Sequence, residues 1–75
     1  MDFNELLDNE LINARKKHPV YMHNGHEAYA VILEELTEFW EEIRGQRPSR
    51  KHMIKELVQV AAMARRAAED LGLIR

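Results

Sequence analysis

The chain has 75 residues, no cysteine, and 11 Lys and Arg against 13 Asp and Glu, for a formal net charge of −2. A chain this short makes one small domain with a partial core, so further copies are expected to complete it, and near-neutral charge argues against a nucleic-acid binder held by a basic surface. Without cysteine there is no disulfide framework, thiolate metal site or thiol chemistry, and no apolar run reaches the roughly 18 residues of a membrane span.

Three helices are predicted, and no strand. In the first, about residues 2–17, Phe3, Leu6, Leu7, Leu11, Ile12 and Ala14 recur near the three-or-four spacing of an amphipathic helix. Its basic end, Arg15-Lys16-Lys17-His18, suits the negative pole of a helix C-terminus, and Pro19 disfavours helical backbone at His18. The second, about residues 25–44, opens on Asn24 with Glu27 three residues on, a variant of the capping box. Its apolar stripe is Tyr29, Ile32, Leu33, Leu36, Phe39, Trp40 and Ile43, and Gly45 can stop it. Pro48 and the N-cap candidate Ser49 then make a tight connector.

The third helix, about residues 50–71, carries Ile54, Leu57, Val58, Ala61, Ala64, Ala68 and Leu71 on one face and ends at Gly72. The second and third helices therefore form an antiparallel hairpin, expected to pack through Leu36, Phe39, Leu57 and Ala61. A second strip on the third helix, Met53, Val60, Met63 and Ala67, is the expected oligomer surface. The fold class is all-α: a single domain, a three-helix protomer that completes a helical bundle as a homodimer or homotetramer. Residues Met1-Asp2-Phe3-Asn4-Glu5 lack the basic and then apolar pattern of a signal peptide, so a soluble, cytoplasmic protein is expected, without a membrane partner.

The chemistry concentrates in two acidic groups, Glu34-Glu35-Leu36-Thr37-Glu38 and, after seventeen intervening residues, Glu56 with Gln59. On a helix, positions three or four apart share a face, so Glu35 and Glu38 can point at one spot while Glu56 and Gln59 do so from the partner helix. Four oxygen donors converging in this way suit a hard divalent cation such as Mg²⁺, with Mn²⁺ as an alternative. Crowding like charges costs free energy that a bound cation removes. A Glu-rich helix face is also commonly just solvated surface, and the pairing of two such groups across a hairpin is what sets this one apart.

This spacing resembles the metal signature of the MazG-like, all-α nucleoside triphosphate pyrophosphohydrolases, whose pattern is Glu-Glu-x-x-Glu followed at similar distance by Glu-x-x-Asp. The segments His26-Glu27-Ala28-Tyr29-Ala30-Val31-Ile32-Leu33-Glu34-Glu35-Leu36 and Glu56-Leu57-Val58-Gln59-Val60-Ala61-Ala62-Met63-Ala64 are similar to the small phage-type or prophage-type members, and the likeness covers about two-thirds of the chain. The resemblance implies a Mg²⁺-dependent hydrolase that splits a nucleoside triphosphate into monophosphate and pyrophosphate. It makes Glu35, Glu38 and Glu56 metal ligands, with Glu34 behind them or orienting water and Glu34 and Glu38 as the catalytic acids. Gln59 stands where the family pattern has aspartate, so the fourth ligand offers a neutral carbonyl oxygen and one charge fewer.

Other residues carry weaker signals. Arg47, Arg50, Lys51 and Lys55, near the start of the third helix, are candidates for substrate phosphate, although basic residues beside a connector are commonly solvated. Tyr29 and Trp40 could stack on a base, yet their place in the apolar stripe reads as core. His23 and His26 have a His-x-x-His spacing with no Cys or third His to complete a zinc site. Two rival readings differ in class: a weak or inactive member that binds a nucleotide or a partner protein, and a structural helical module whose acids are solvated.

Overall fold

The computed structural model describes residues 1–74, which form α1 (Phe3–Lys17), α2 (Gly25–Ile43) and α3 (Arg50–Asp70), with no strand among them. Each helix start is fixed by a side chain that accepts from a free backbone N–H. Asp2 accepts from Glu5 N while the Glu5 carboxylate accepts from Asp2 N, a complete capping box. Asn24 Oδ1 accepts from Glu27 N at 2.9 Å, but the Glu27 carboxylate accepts from His23 N and meets the His23 ring instead of closing the box on Asn24 N. Ser49 Oγ accepts from His52 N, and Ser49 N donates to Glu42, pinning the start of α3 to the end of α2.

The end of α3 depends on a left-handed residue. Gly72 has φ of 70°, its N–H donates to Glu69 O, and Leu73 N donates to Ala68 O, which is the Schellman arrangement. A side chain at position 72 would make that backbone conformation costly.

α3 is the central element. Both α1 and α2 pack against it, whereas α1 and α2 leave a gap between them, with no Cα pair across it within 8 Å among the described residues. α2 and α3 run antiparallel, as the pairing of Glu42 with Ser49 and of Glu35 with Gln59 shows. The core is Leu11, Met22, Ala28, Ala62, Met63 and Ala67, flanked by Leu7, Ala14, Val31, Ile32 and Leu71. Half of those six buried residues are alanines. Burial of a large apolar side chain contributes roughly 1.5–3 kcal/mol, so the core draws its strength chiefly from Leu11, Met22 and Met63.

Three sequence expectations about packing are corrected. Met63 and Ala67, assigned to an oligomer surface, are each 7% exposed and lie in the chain's own core. Much of the stripe assigned to the core of the hairpin is instead open: on α2 Tyr29, Leu33, Leu36, Trp40 and Ile43, and on α3 Ile54, Leu57 and Ala64, are exposed, whereas Val58 is buried and Ile32, Phe39, Ala61, Ala68 and Leu71 are half-buried as expected. Tyr29 and Trp40 are thus surface residues of the single chain. The reason is rotational. α2 turns Ala28, Val31, Ile32, Glu35 and Phe39 inward, a face less apolar than its richest stripe, and the small Ala28 and Ala62 in the shared core let α2 and α3 approach.

Candidate metal centre

The inward rotation of α2 carries the acids with it. Glu35 and Glu42 are partly buried, Glu38 is exposed, and Glu56 comes from α3 directly opposite. One carboxylate oxygen from each of Glu35, Glu38 and Glu56 lies within 4.8 Å of the others, the one such grouping of three possible ligands among the described residues. Oxygens around Mg²⁺ at about 2.1 Å stand roughly 3–4 Å apart in an octahedron, so three carboxylate oxygens within 4.8 Å of one another are close enough to share one such ion after a small adjustment. The donor set is all oxygen, as Mg²⁺ or Mn²⁺ requires.

Gln59 completes the ring. With its amide nitrogen turned inward it donates to Glu35 Oε2 at 3.1 Å and to Glu56 Oε2 at 3.2 Å. A half-turn of the same amide puts its carbonyl oxygen in that place, so one side chain can bridge the two carboxylates or offer an oxygen to a cation. The two states differ only by a rotation about the last bond.

The electrostatics show the strain of the cluster. Burial, with repulsion from Glu38 and Glu56, pushes the Glu35 carboxyl up to about 7. Burial and the neighbouring Glu38 also raise Glu56, while nearby Lys55 opposes the rise. Partial protonation at neutral pH is what remains when carboxylates are packed together without a counter-charge. Perturbed carboxyls in a cleft are common at functional sites, though ion-pair networks produce them too.

Glu34 is exposed beside Glu35, and both line a cavity of about 400 Å³ between α1 and α2, with Gln59 and Met63 of α3 in its wall. Arg47, Arg50, Lys51 and Lys55 are exposed and none of them lines that cavity. Lys55 faces a second, shallower depression with Leu6, Asn9 and Val58. His23 pairs with Glu27 at 3.2 Å, and neither it nor His26 joins a group of three possible ligands. The residues that sequence reasoning passed over are Asn13, Lys17 and Arg66, which line the cavity from α1 and α3. Lys17 was legible only as the basic end of a helix, and no local spacing singles out Arg66. No known protein family, curated protein or solved structure matches this chain.

Proposed function

We propose that the chain is a metal-dependent nucleoside triphosphate pyrophosphohydrolase, releasing a monophosphate and pyrophosphate. The observation that carries the reading is the convergence of Glu35, Glu38 and Glu56 from two helices to within 4.8 Å, with the Gln59 amide between Glu35 and Glu56. Bound there, Mg²⁺ or Mn²⁺ supplies charge neutralisation for phosphate oxygens and a more acidic water. Glu35, Glu38 and Glu56 would hold the ion, and the Gln59 carbonyl, once the amide is turned, would be the fourth protein oxygen. Glu34, with Glu38, accepts a hydrogen bond from the attacking water and orients it. The resemblance of the Glu-Glu-x-x-Glu and Glu-x-x-Gln spacing to the MazG-like signature agrees with this assignment.

The working form is a homo-oligomer, a dimer or a tetramer. Tyr29, Leu33, Leu36, Trp40 and Ile43 recur at alternating steps of four and three along α2, the seam of a helix that packs against another helix. That seam, with Ile54 and Leu57, is open in the single chain, and a second copy covers it in a helical bundle. By 100° per residue, Leu36 lies about 160° round α2 from Glu38, so the acids stay clear of the seam.

A second reading has a specific observation behind it. Gln59 removes one carboxylate from the family pattern, and the bridging amide stabilises the metal-free cluster, both of which favour a catalytically weak or inactive member that binds a nucleotide or a partner protein. Pyrophosphate release measured over all ribo- and deoxyribonucleoside triphosphates with Mg²⁺ decides between them. Release that Glu38→Gln abolishes supports the enzyme; nucleotide binding without release supports the binder; neither, with no Mn²⁺ bound, returns the acids to solvated surface.

A further inference from the structure

Asn24 and Gly25 join the connector to α2, and both are exposed. Among Asn4, Asn9, Asn13 and Asn24, the last alone precedes a glycine and alone lies outside a helix. The amide that follows each of the others is engaged: Glu5 N donates to Asp2, and the N–H groups of Glu10 and Ala14 belong to the helical ladder of α1. Gly25 is the first residue of α2, so its N–H has no acceptor within the helix. Glycine also has no Cβ to hinder an approach to that nitrogen.

Asn24 is held by one side-chain hydrogen bond. Its Oδ1 accepts from Glu27 N at 2.9 Å, while the Glu27 carboxylate, which would complete the cap, is turned to His23 N and the His23 ring. Attack by the Gly25 nitrogen on Asn24 Cγ needs that nitrogen and Cβ eclipsed about the Cα–C bond, whereas a ψ of 173° holds them gauche. The first turn must therefore open, and helix ends open at little cost.

We propose that Asn24–Gly25 is a site of spontaneous deamidation, and that the isoaspartate it forms loosens the start of α2 from the core. The Gly25 nitrogen bonds to Asn24 Cγ as the Cγ–Nδ2 bond breaks, and ammonia leaves with the Gly25 proton, giving a succinimide. Water then opens the ring, so the net change is one water in and one ammonia out. Attack of water at Cγ leaves aspartate, whose carboxylate keeps the cap and suits the positive pole of α2. Attack at the main-chain carbonyl carbon leaves isoaspartate, with the chain running through Cβ and Cγ and one carbon longer. That carbon falls between two anchored residues. Met22, 6% exposed, donates its N–H to Asp70 Oδ2 at 3.0 Å, and Ala28, 4% exposed, donates its N–H to Asn24 O at 3.1 Å. In isoaspartate the Asn24 carbonyl becomes a free carboxylate, so the first hydrogen bond of α2 is displaced while Met22 and Ala28 stay bound to the core. The reaction needs neither metal nor nucleotide.

The test incubates the full chain at about pH 8 and follows tryptic peptides by mass spectrometry, with isoaspartyl methyltransferase labelling to detect isoaspartate. The peptide carrying Asn24 should gain about 1 Da at least tenfold faster than the sites at Asn4, Asn9 and Asn13, and faster again in urea, where the cap is lost. Gly25→Ala should cut that rate at least tenfold and keep the fold, since a Cβ at Gly25 would meet nothing within 4 Å. The isoaspartate form, separated by reversed-phase chromatography and refolded, should melt several degrees below the wild type, whereas Asn24→Asp should melt no lower. A gain at Asn24 no faster than at the other asparagines of the folded chain overturns the inference, as does an equal gain in Gly25→Ala. An isoaspartate form that melts with the wild type overturns it too.

Discussion

Arg66 Nε stands 3.5 Å from Asp70 Oδ2, one turn apart on α3, with the two side chains 5% and 1% exposed. The distance is that of an ion pair, and the Nε–H makes no hydrogen bond. The other guanidinium nitrogens donate to the carbonyls of Ala14, His18 and Val20, while Asp70 accepts from Met22 N at 3.0 Å and from Arg15 at 2.9 Å. Together they tie the end of α1 and the following connector to the last turn of α3. This satisfies the carbonyl of the C-cap His18 and that of Val20 in the connector, and adds a second donor to Ala14 O, which also accepts from His18 N.

Removing Arg66 should therefore cost more than an ordinary surface charge. Arg66→Met keeps much of the packing volume but leaves the His18 and Val20 carbonyls without a partner, while Ala14 O keeps the His18 N–H, and takes one cation from a nearly buried carboxylate. Breaking such a pair typically costs about 3–5 kcal/mol, reduced here because Arg15 still meets Asp70, so a loss of about 2–4 kcal/mol is expected. Urea unfolding followed by circular dichroism measures it. A change below about 0.5 kcal/mol would show that the latch adds nothing.

Met63 and Trp40 should respond in opposite ways to a charge. Met63 lies in the chain's own core, so Met63→Glu buries an unpaired carboxylate and should unfold a domain this small. Trp40 is 55% exposed on the open seam, so Trp40→Glu should keep the helicity and shift sedimentation from oligomer to monomer. Wild-type protein sedimenting as a monomer at micromolar concentration would defeat the proposed seam. The single tryptophan offers a second readout, a blue shift of its emission as the protein concentration rises.

The glutamates can be tested one at a time. Glu35→Gln, Glu38→Gln and Glu56→Gln should each weaken Mn²⁺ binding at least tenfold by calorimetry and raise metal-free stability by a few tenths of a kcal/mol, because like-charge repulsion falls. Gln59→Asp should tighten Mn²⁺ and lower metal-free stability, since a bridging donor becomes a fourth repelling carboxylate. Gln59→Glu is the length-matched control. Unchanged affinity across the whole set would place the ion elsewhere.

Stability should peak at mildly acidic pH when no metal is present. The folded Glu35 carboxyl sits at about 7, whereas an unfolded glutamate titrates near 4.3, so the folded chain holds the extra proton between them and loses stability as pH rises through that window. Glu69 and Asp70 act in the other direction. The Arg15 guanidinium lowers Glu69; burial alone would raise Asp70, but the Met22 N–H, Arg15 and Arg66 outweigh it and hold it below the usual range. Their contribution is present above the ordinary carboxylate range and lost as pH falls below it. Melting temperature measured from about pH 3 to 8.5 with a chelator should rise and then fall, and Mn²⁺ affinity should climb through about pH 7 as the competing proton leaves. A melting profile still rising above pH 7 without metal would contradict the buried cluster.

The helices and the pairing of the acids were legible in the sequence because both rest on local rules. Asn24 and Ser49 start their helices by accepting backbone N–H bonds within three residues, and Gly72 ends α3 through a backbone angle that glycine adopts freely. The three-residue spacing of Glu35 and Glu38, and of Glu56 and Gln59, fixes which side chains share a face wherever the helix lies. Which face turned inward was decided only by tertiary structure. The richest apolar stripe, through Leu36 and Trp40, marked a surface to be covered, but periodicity does not say whether the chain itself or another copy covers it. α3 took Ala28, Val31 and Ile32 as its partners, burying Met63 and drawing Glu35 into a desolvated position. The Arg66 latch and the cavity beside Asn13 and Lys17 depend on contacts across some fifty residues of chain, which no local spacing records.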